Sequence, residues 1–308
     1  MNSTVMAARP STPNNKIKQG AGENIGTFFI YLVVFLFAVM CILPFILVVI
    51  VSLSSEKSIT LNGYSFWPSE WSMAAYEMLF LPSSAVPQAY LVTGISTVFG
   101  TLVASFITFG AGYTLANRSC RYRNGLSLYF YVTMVFSAGL VPWYMMCKSL
   151  GCYDNIWALI VPSLMFNPFN MFLVRNFVRG IPAELNESAK IDGAGEVRIA
   201  FSIYFPLCLP VLATIALFYA IGYWNNYFNA VMLVNNEDYY SLQMLLFKIQ
   251  SEITALSNLS AGAMQTVNPP KESFKMATSV ITMGPIIILY PFLQKYFVKG
   301  MVVGAVKG

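Results

Sequence analysis

The stretch "NESAKIDGAGEVRIAFSIYFPLCLP", from Asn186 to Pro210, concentrates charge in a chain that contains little of it elsewhere. Acidic and basic side chains crowd into its first half, where Gly193 and Gly195 interrupt them. Glycine suits the position just past a helix end, and a carboxylate such as that of Glu196 favours a first turn. The connection 182–198 is therefore predicted to form a helix, a turn and the start of a second helix.

The rest of the chain is typical of a membrane protein. Of its 308 residues, 57% are hydrophobic and only 10% are charged, against roughly 25% charged in soluble domains. A transmembrane helix needs about 20 mostly apolar residues. The uncharged runs predict an all-α polytopic membrane protein with six spans, at about 27–53, 90–116, 124–147, 155–174, 200–223 and 276–294.

The polar residues 1–23 predict a disordered tail before a six-span transmembrane domain at 24–299, which residues 300–308 follow as a second tail. Six spans place both termini on one side of the membrane, and thirteen of the eighteen Lys and Arg residues fall on that side. The positive-inside rule predicts that this side, with the connection 182–198, is cytoplasmic. The basic balance is thus an orientation signal, and it does not predict nucleic-acid binding.

Proline and glycine predict how individual spans deviate from straight helices. Pro162 and Pro168 predict a broken or bent fourth span, and the fifth span has Pro206 and Pro210 in its inner half. The second span is predicted to pack closely inside the bundle, because it carries small residues at Gly94, Gly100, Gly110 and Gly112.

Two features are expected on the outer side. Leucines and isoleucines at helical spacing within "YYSLQMLLFKIQSEITAL" predict an amphipathic surface helix before the sixth span. Cys147 and Cys152 are expected as two buried thiols, with a disulfide between them as the alternative.

The charged stretch also resembles a known motif. Glu187, Ser188 and Ala189 are followed after three residues by Gly193, after nine more by Ile203, and then by Phe205 and Pro206. This spacing is similar to the EAA loop of the membrane subunits of ATP-binding-cassette (ABC) importers, with Ser188 and Phe205 in place of Ala and Leu. The run "IDGA", Pro210 and the end "YPFLQKYFVKGMVVGAVKG" resemble the maltose-permease-like, carbohydrate-uptake branch, and "MFLVRNFVRGIPAELNESAKIDGAGE" is similar to permeases for complex oligosaccharides.

The resemblance implies the type I ABC importer permease fold, in which the EAA loop forms a cytoplasmic coupling helix that docks into a separate ATPase. The ATPase-coupling residues would be Glu187, Ser188, Ala189, Asp192, Gly193, Ala194, Ile203 and Pro206. It also implies a second permease subunit, two ATPase copies that use ATP and Mg, and an extracytoplasmic solute-binding protein or lipoprotein. The chain would lie in the bacterial cell membrane and carry a carbohydrate across the lipid bilayer.

Residues of the translocation path are expected among aromatic and amide side chains at membrane depth, because sugars present apolar ring faces bordered by hydroxyls. The candidates are Asn167, Asn170, Tyr219, Tyr223, Trp224, Asn225 and Asn229. The competing interpretation is structural: buried Asn side chains stabilise proline breaks, and Tyr and Trp form an interfacial belt.

Several other functions are excluded or left as alternatives. The chain has no histidine, which removes His-based catalysis and most zinc sites, so no catalytic or metal site is expected. It also has no G-x-x-x-x-G-K-[ST] loop, so it is not expected to be its own ATPase. We expect it to bind no cofactor of its own and a partner to hydrolyse ATP. The alternatives are an ABC permease for a non-sugar solute, a polytopic membrane enzyme and a stand-alone carrier.

Overall fold

The computed structural model of the protein describes residues 21–81, 84–162, 165–260 and 272–287. Regular structure in these residues is helical, beside one isolated antiparallel bridge between Ser54 and Trp71. The helices are α1 (Ala21–Ser52), α2 (Glu56–Asn62), α3 (Ala74–Leu79), α4 (Val86–Ala116), α5 (Arg123–Val135), α6 (Leu140–Ser149), α7 (Trp157–Ile160), α8 (Pro168–Arg179), α9 (Glu184–Ile191), α10 (Glu196–Ile199), α11 (Phe205–Leu207), α12 (Leu209–Trp224), α13 (Phe228–Leu233), α14 (Leu242–Ser260) and α15 (residues 272–287). A π-helical turn, Ala200–Tyr204, joins α10 to α11.

The chain divides into two compact units, residues 1–47 and 48–308. The described part of the first unit is a single helix, the greater part of α1, whose side chains from Phe28 to Ile46 are all exposed. A helix that is apolar on every face and this long is suited to the interior of a lipid bilayer. The first predicted span, 27–53, lies within α1 except for its last residue.

The second unit is organised around α4, on which α12 and α8 both pack. A Cβ at Gly100 would lie 2.4 Å from Cζ of Tyr223, and one at Gly112 would lie 2.8 Å from Cγ1 of Val174. Such distances are too short for any larger residue. Gly94 and Gly110 meet no neighbour within 4 Å among the described residues, so the predicted close packing is confirmed at two of the four glycines.

The third predicted span, 124–147, is not one straight helix. The chain bends by 117° between α5 and α6, across residues 136–139. Gly139 has φ +88°, a conformation that favours glycine, and Pro142 lies in the first turn of α6, where proline is tolerated. These two residues begin a new helix where the apolar run alone predicted a continuous one.

The fourth and fifth spans are broken at prolines. Residues 161–167 separate α7 from α8, which begins at Pro168, so the predicted break in the fourth span is confirmed. In the fifth span, Glu196–Leu207 and Leu209–Trp224 are bent by 80°. Pro210 lies in the first turn of α12, and the bend at Cys208 comes directly before that helix.

In the described residues, two helices are long and apolar enough to cross a membrane, or up to four if each bent pair is one span. α15 covers residues 276–287 of the sixth predicted span, 276–294, whose remainder lies outside the described residues. The predicted tails, 1–23 and 300–308, lie outside the described residues except for 21–23, which are helical. The count of six spans therefore stays a prediction.

The connections on the predicted outer side are ordered by specific contacts. The predicted amphipathic helix is confirmed as α14, whose Leu242 and Leu245 are buried. The carboxylate of Glu56 accepts hydrogen bonds from the backbone N–H groups of Glu272 and Ser273, both at 3.1 Å. Glu56 thereby caps the start of α15, where a negative charge is favoured.

Candidate functional site

The predicted helix and turn are present at α9. Gly193 has φ +74°, its N–H donates to Lys190 O at 3.0 Å, and the N–H of Ala194 donates to Ala189 O at 2.9 Å. These two bonds form the Schellman arrangement that ends a helix at glycine. α10 then begins at Glu196, so the sequence placed this helix, turn and helix start correctly.

The residues of α9 that are predicted to dock into the ATPase are not all exposed. Ala189 is only 7% exposed and packs into the core cluster that contains Phe109 and Ile215. Ser188 and Asp192 are exposed. The face presented to solvent also carries Ile191, 86% exposed, while Val197 just beyond the turn is 73% exposed.

The later motif residues shape the chain after the turn. Ala194 and Ile203 are partly buried against the same core cluster. Pro206 has no N–H to continue the helical pattern, and the N–H of Phe205 donates to Ala200 O in the π-helical turn. Such turns are frequent at functional sites. These residues thus fix the path from α10 to α12.

Glu196 connects this segment to α4. Its carboxylate lies 2.7 Å from Lys190 Nζ and accepts hydrogen bonds from Tyr113 Oη at 3.2 Å and Asn117 Nδ2 at 3.1 Å. The hydrogen bond from Lys190 lowers the pKa of this carboxyl group, although partial burial opposes the shift. The Glu196 side chain, on α10, therefore contacts both α9 and the end of α4.

A cavity of about 630 Å³ lies between α9, the ends of α4 and α8 and the start of α5. Its charged lining residues are Arg118, Arg123, Arg179, Lys190 and Glu187. We call this space the basic cavity. Since Glu187 lines it, the first residue of the predicted docking element faces a site rich in positive charge.

A second polar region surrounds the break in the fourth span. The carbonyl of Leu159 accepts from Asn226 Nδ2 at 3.2 Å, that of Ile160 from Tyr223 Oη at 2.9 Å, and that of Pro162 from Asn229 Nδ2 at 2.8 Å. The N–H of Asn167 donates to Tyr219 Oη at 3.0 Å. Side chains of α12, of α13 and of the short connection between them thus satisfy the backbone that the break exposes.

The other candidates for the translocation path lie around this region. Asn167 also caps α8 through its side chain, and Asn170 is buried in α8. Trp224 Nε1 donates to Thr282 O at 3.0 Å. Asn225 is exposed and bonds Ile221 O and Gln243. The structure brings the seven candidates to the breaks and helix ends, where most of their polar atoms bind protein groups.

The family of the chain follows from comparison with known proteins. The sequence profile of the binding-protein-dependent transport system inner membrane component family matches residues 19–303. This chain belongs to that family. It is a permease subunit with the helical fold of ABC importer permeases, a transport component rather than an enzyme.

Individual relatives of this permease are similar over most of their length. Protein LplC of Bacillus subtilis is 41% identical, over 87% of this chain and 90% of LplC. The polygalacturonan/rhamnogalacturonan transport system permease protein YtcP of Bacillus subtilis is 38% identical, over 91% and 97%. A chain of the crystal structure of a bacterial ABC transporter involved in the import of the acidic polysaccharide alginate matches with TM-score 0.79 and 30% identity, over 91% of this chain and 99% of that one.

Two features of the permease are not predicted from the sequence. The first is the exposure of Ile191 and Val197, which an isoleucine and a valine within a charged segment could have signalled. The second is the contact of Glu196 with Tyr113 and Asn117, because these partners lie about 80 residues earlier in the chain.

The roles of the path candidates can be separated by Tyr223→Phe. The change keeps the ring that packs on Gly100 and removes the hydroxyl that bonds Ile160 O. Losing a buried hydrogen bond costs about 1–2 kcal/mol, so we expect a lower unfolding temperature of the purified complex and an unchanged KM for uptake. Tyr227→Phe, at an exposed tyrosine, is the control. A raised KM with unchanged unfolding would instead place Tyr223 in the sugar path.

Proposed function

We propose that this permease subunit pairs with a second permease, forms the translocation path of an ATP-driven importer, and receives the force for transport through α9. The observation that carries this proposal is α9 itself: a short exposed helix, ended by a Schellman turn, whose residues have the EAA-loop spacing. Small and apolar exposed groups can enter a cleft, and charges at its rim fix the register.

The docking element would consist of Glu187, Ser188, Asp192 and Gly193, with Ile191 and Val197 as apolar contacts. Ala189, Ala194, Ile203 and Pro206 would act from the inside, since they pack against the core or shape the π-helical turn. The motor would be two copies of a separate ATPase that use ATP and Mg, because the sequence has no phosphate-binding loop. This arrangement requires α9 and both termini to be cytoplasmic, as the Lys and Arg distribution predicts.

The proposed substrate is an oligosaccharide delivered by an extracytoplasmic solute-binding protein. Two similar proteins support this choice by their names, one for polygalacturonan and rhamnogalacturonan and one for alginate. Both kinds of polysaccharide carry uronate carboxylates, so fragments of acidic polysaccharides are the first substrates to test.

Reconstitution tests the function. The subunit is co-expressed with its neighbouring transport genes, purified and placed in proteoliposomes that contain ATP. We expect an ATPase and a second permease to co-purify, and labelled oligogalacturonide to accumulate only with ATP and the binding protein. Uptake by this chain alone would contradict the proposal and identify a stand-alone carrier. Uptake of a non-sugar solute by the complex would agree with the permease function but contradict the proposed substrate.

A further inference from the structure

The basic cavity is large enough for a small ligand, since binding sites for small molecules are about 300–1,000 Å³. It lies where three helices end or begin: α4 ends at Ala116, α5 begins at Arg123 and α8 ends at Arg179. These positions directly follow or precede the predicted spans, on the side predicted to be cytoplasmic. The cavity is thus at the height where the polar headgroups of a bilayer meet protein.

Most of the positive charge in this cavity has no ion-pair partner in the described part of the protein. Lys190 pairs with Glu196. The three arginines that line the cavity, Arg118, Arg123 and Arg179, form no ion pair with any described residue. The N-terminal end of α5 adds the positive end of a helix dipole. Glu187 is the one acidic residue in the lining.

The remaining lining has two further properties that restrict the ligand. The side-chain oxygen of Asn186 is shielded from solvent and has no hydrogen-bond donor among the described residues, an arrangement that costs free energy unless a ligand supplies a hydroxyl. Ala116, Val178 and Ile181 provide an apolar wall. A suitable ligand therefore combines an anion, a hydroxyl donor and an apolar part.

We propose that the basic cavity binds the headgroup of an anionic phospholipid, with the phosphodiester at the arginines. One arginine side chain can bind two phosphate oxygens at the same time. Basic pockets between transmembrane helices at the cytoplasmic side bind the headgroups of anionic lipids. The glycerol hydroxyls of phosphatidylglycerol supply the donor for Asn186, and the acyl chains continue along the apolar wall. This site goes beyond the transport function, and it requires the predicted orientation but no docking of α9.

The test measures lipid bound to the intact complex of this subunit with its partner subunits. The complex is purified from membranes in mild detergent, and phosphatidylglycerol and phosphatidylcholine offered in equal amounts are quantified by native mass spectrometry. The test variant is Arg123→Gln with Arg179→Gln. The matched control is Arg121→Gln with Arg198→Gln, which removes the same charge from two arginines outside the cavity lining.

We expect the wild type to prefer phosphatidylglycerol, the test variant to lose about 30-fold in that preference, and the control to keep it, because each basic side chain contributes about 1 kcal/mol. If the double variant does not assemble, Arg118→Gln in the exposed connection replaces it, with an expected loss of about fivefold. Equal retention of both lipids, or equal loss in the control, would overturn the proposal. Displacement by millimolar glycerol phosphate would assign the site to a soluble phosphate ester, and displacement by oligogalacturonide to the transported substrate; either would overturn the lipid.

Discussion

Gly193→Pro is expected to abolish ATP-driven uptake while the subunit still inserts into the membrane. Gly193 has φ +74°, and its N–H donates to Lys190 O. Proline holds φ near −65° and has no N–H, so the turn that ends α9 cannot form. A disruption of this kind costs about 3 kcal/mol or more, and α9 would leave the position from which it is proposed to contact the ATPase. Uptake should fall by at least about 100-fold.

A matched pair of alanine variants isolates the backbone conformation as the cause. A Cβ at Gly193 or at Gly195 meets no described neighbour within 4 Å, but Gly195 has φ −69°, which any residue adopts. Alanine at 193 should therefore cost about 1–2 kcal/mol and lower uptake several-fold, whereas alanine at 195 should change little. Uptake is measured in vesicles at equal membrane content of the subunit. Normal uptake by Gly193→Pro would show that transport does not depend on the turn that ends α9, and it would contradict the proposed role of this helix.

The features predicted correctly from the sequence are those that depend on neighbouring residues. Gly193 ends α9 because a left-handed residue must follow that helix, and Pro168 begins α8 because proline suits a first turn. The bend between α5 and α6 has equally local causes in Gly139 and Pro142, but the apolar composition around them is that of a continuous span. Composition determines what can lie in lipid, and it does not determine whether the helix is straight.

The features that could not be predicted depend on groups distant in the sequence. Residue type makes Tyr223 and Asn229 candidates both for the translocation path and for a structural role at a proline break, and only the fold shows that their polar atoms bind the carbonyls of Ile160 and Pro162. A side chain suited to a sugar is equally suited to a broken helix, because both offer unpaired polar groups. The basic cavity likewise requires Arg118 and Arg179 to line the same space, which no spacing in the sequence indicates.

Glu196→Ala is expected to separate ATP hydrolysis from transport. The Glu196 carboxylate contacts Lys190 on α9, Tyr113 on α4 and Asn117 directly after α4. α4 is the helix on which α8 and α12 pack. A movement of α9 imposed by the ATPase would therefore reach α4 through this side chain. Its hydrogen bonds are charge-assisted but partly exposed, so their combined contribution is about 1–2 kcal/mol. Uptake per ATP hydrolysed should fall about tenfold, with ATP hydrolysis by the complex retained.

Two further variants test the two sides of this connection. Lys190→Ala removes the ion pair that joins Glu196 to α9. Its two side chains are 39% and 49% exposed, and such pairs contribute at most about 1 kcal/mol, so uptake per ATP hydrolysed should fall by less than in Glu196→Ala, by at most about fivefold. Tyr113→Phe removes one bond from the α4 side, and combined with Glu196→Ala it should add little, because both changes break the same connection. Uptake and ATP hydrolysis are measured together in proteoliposomes. A parallel fall in both would indicate failed assembly, and additive effects of the two changes would show that Glu196 and Tyr113 act on separate steps.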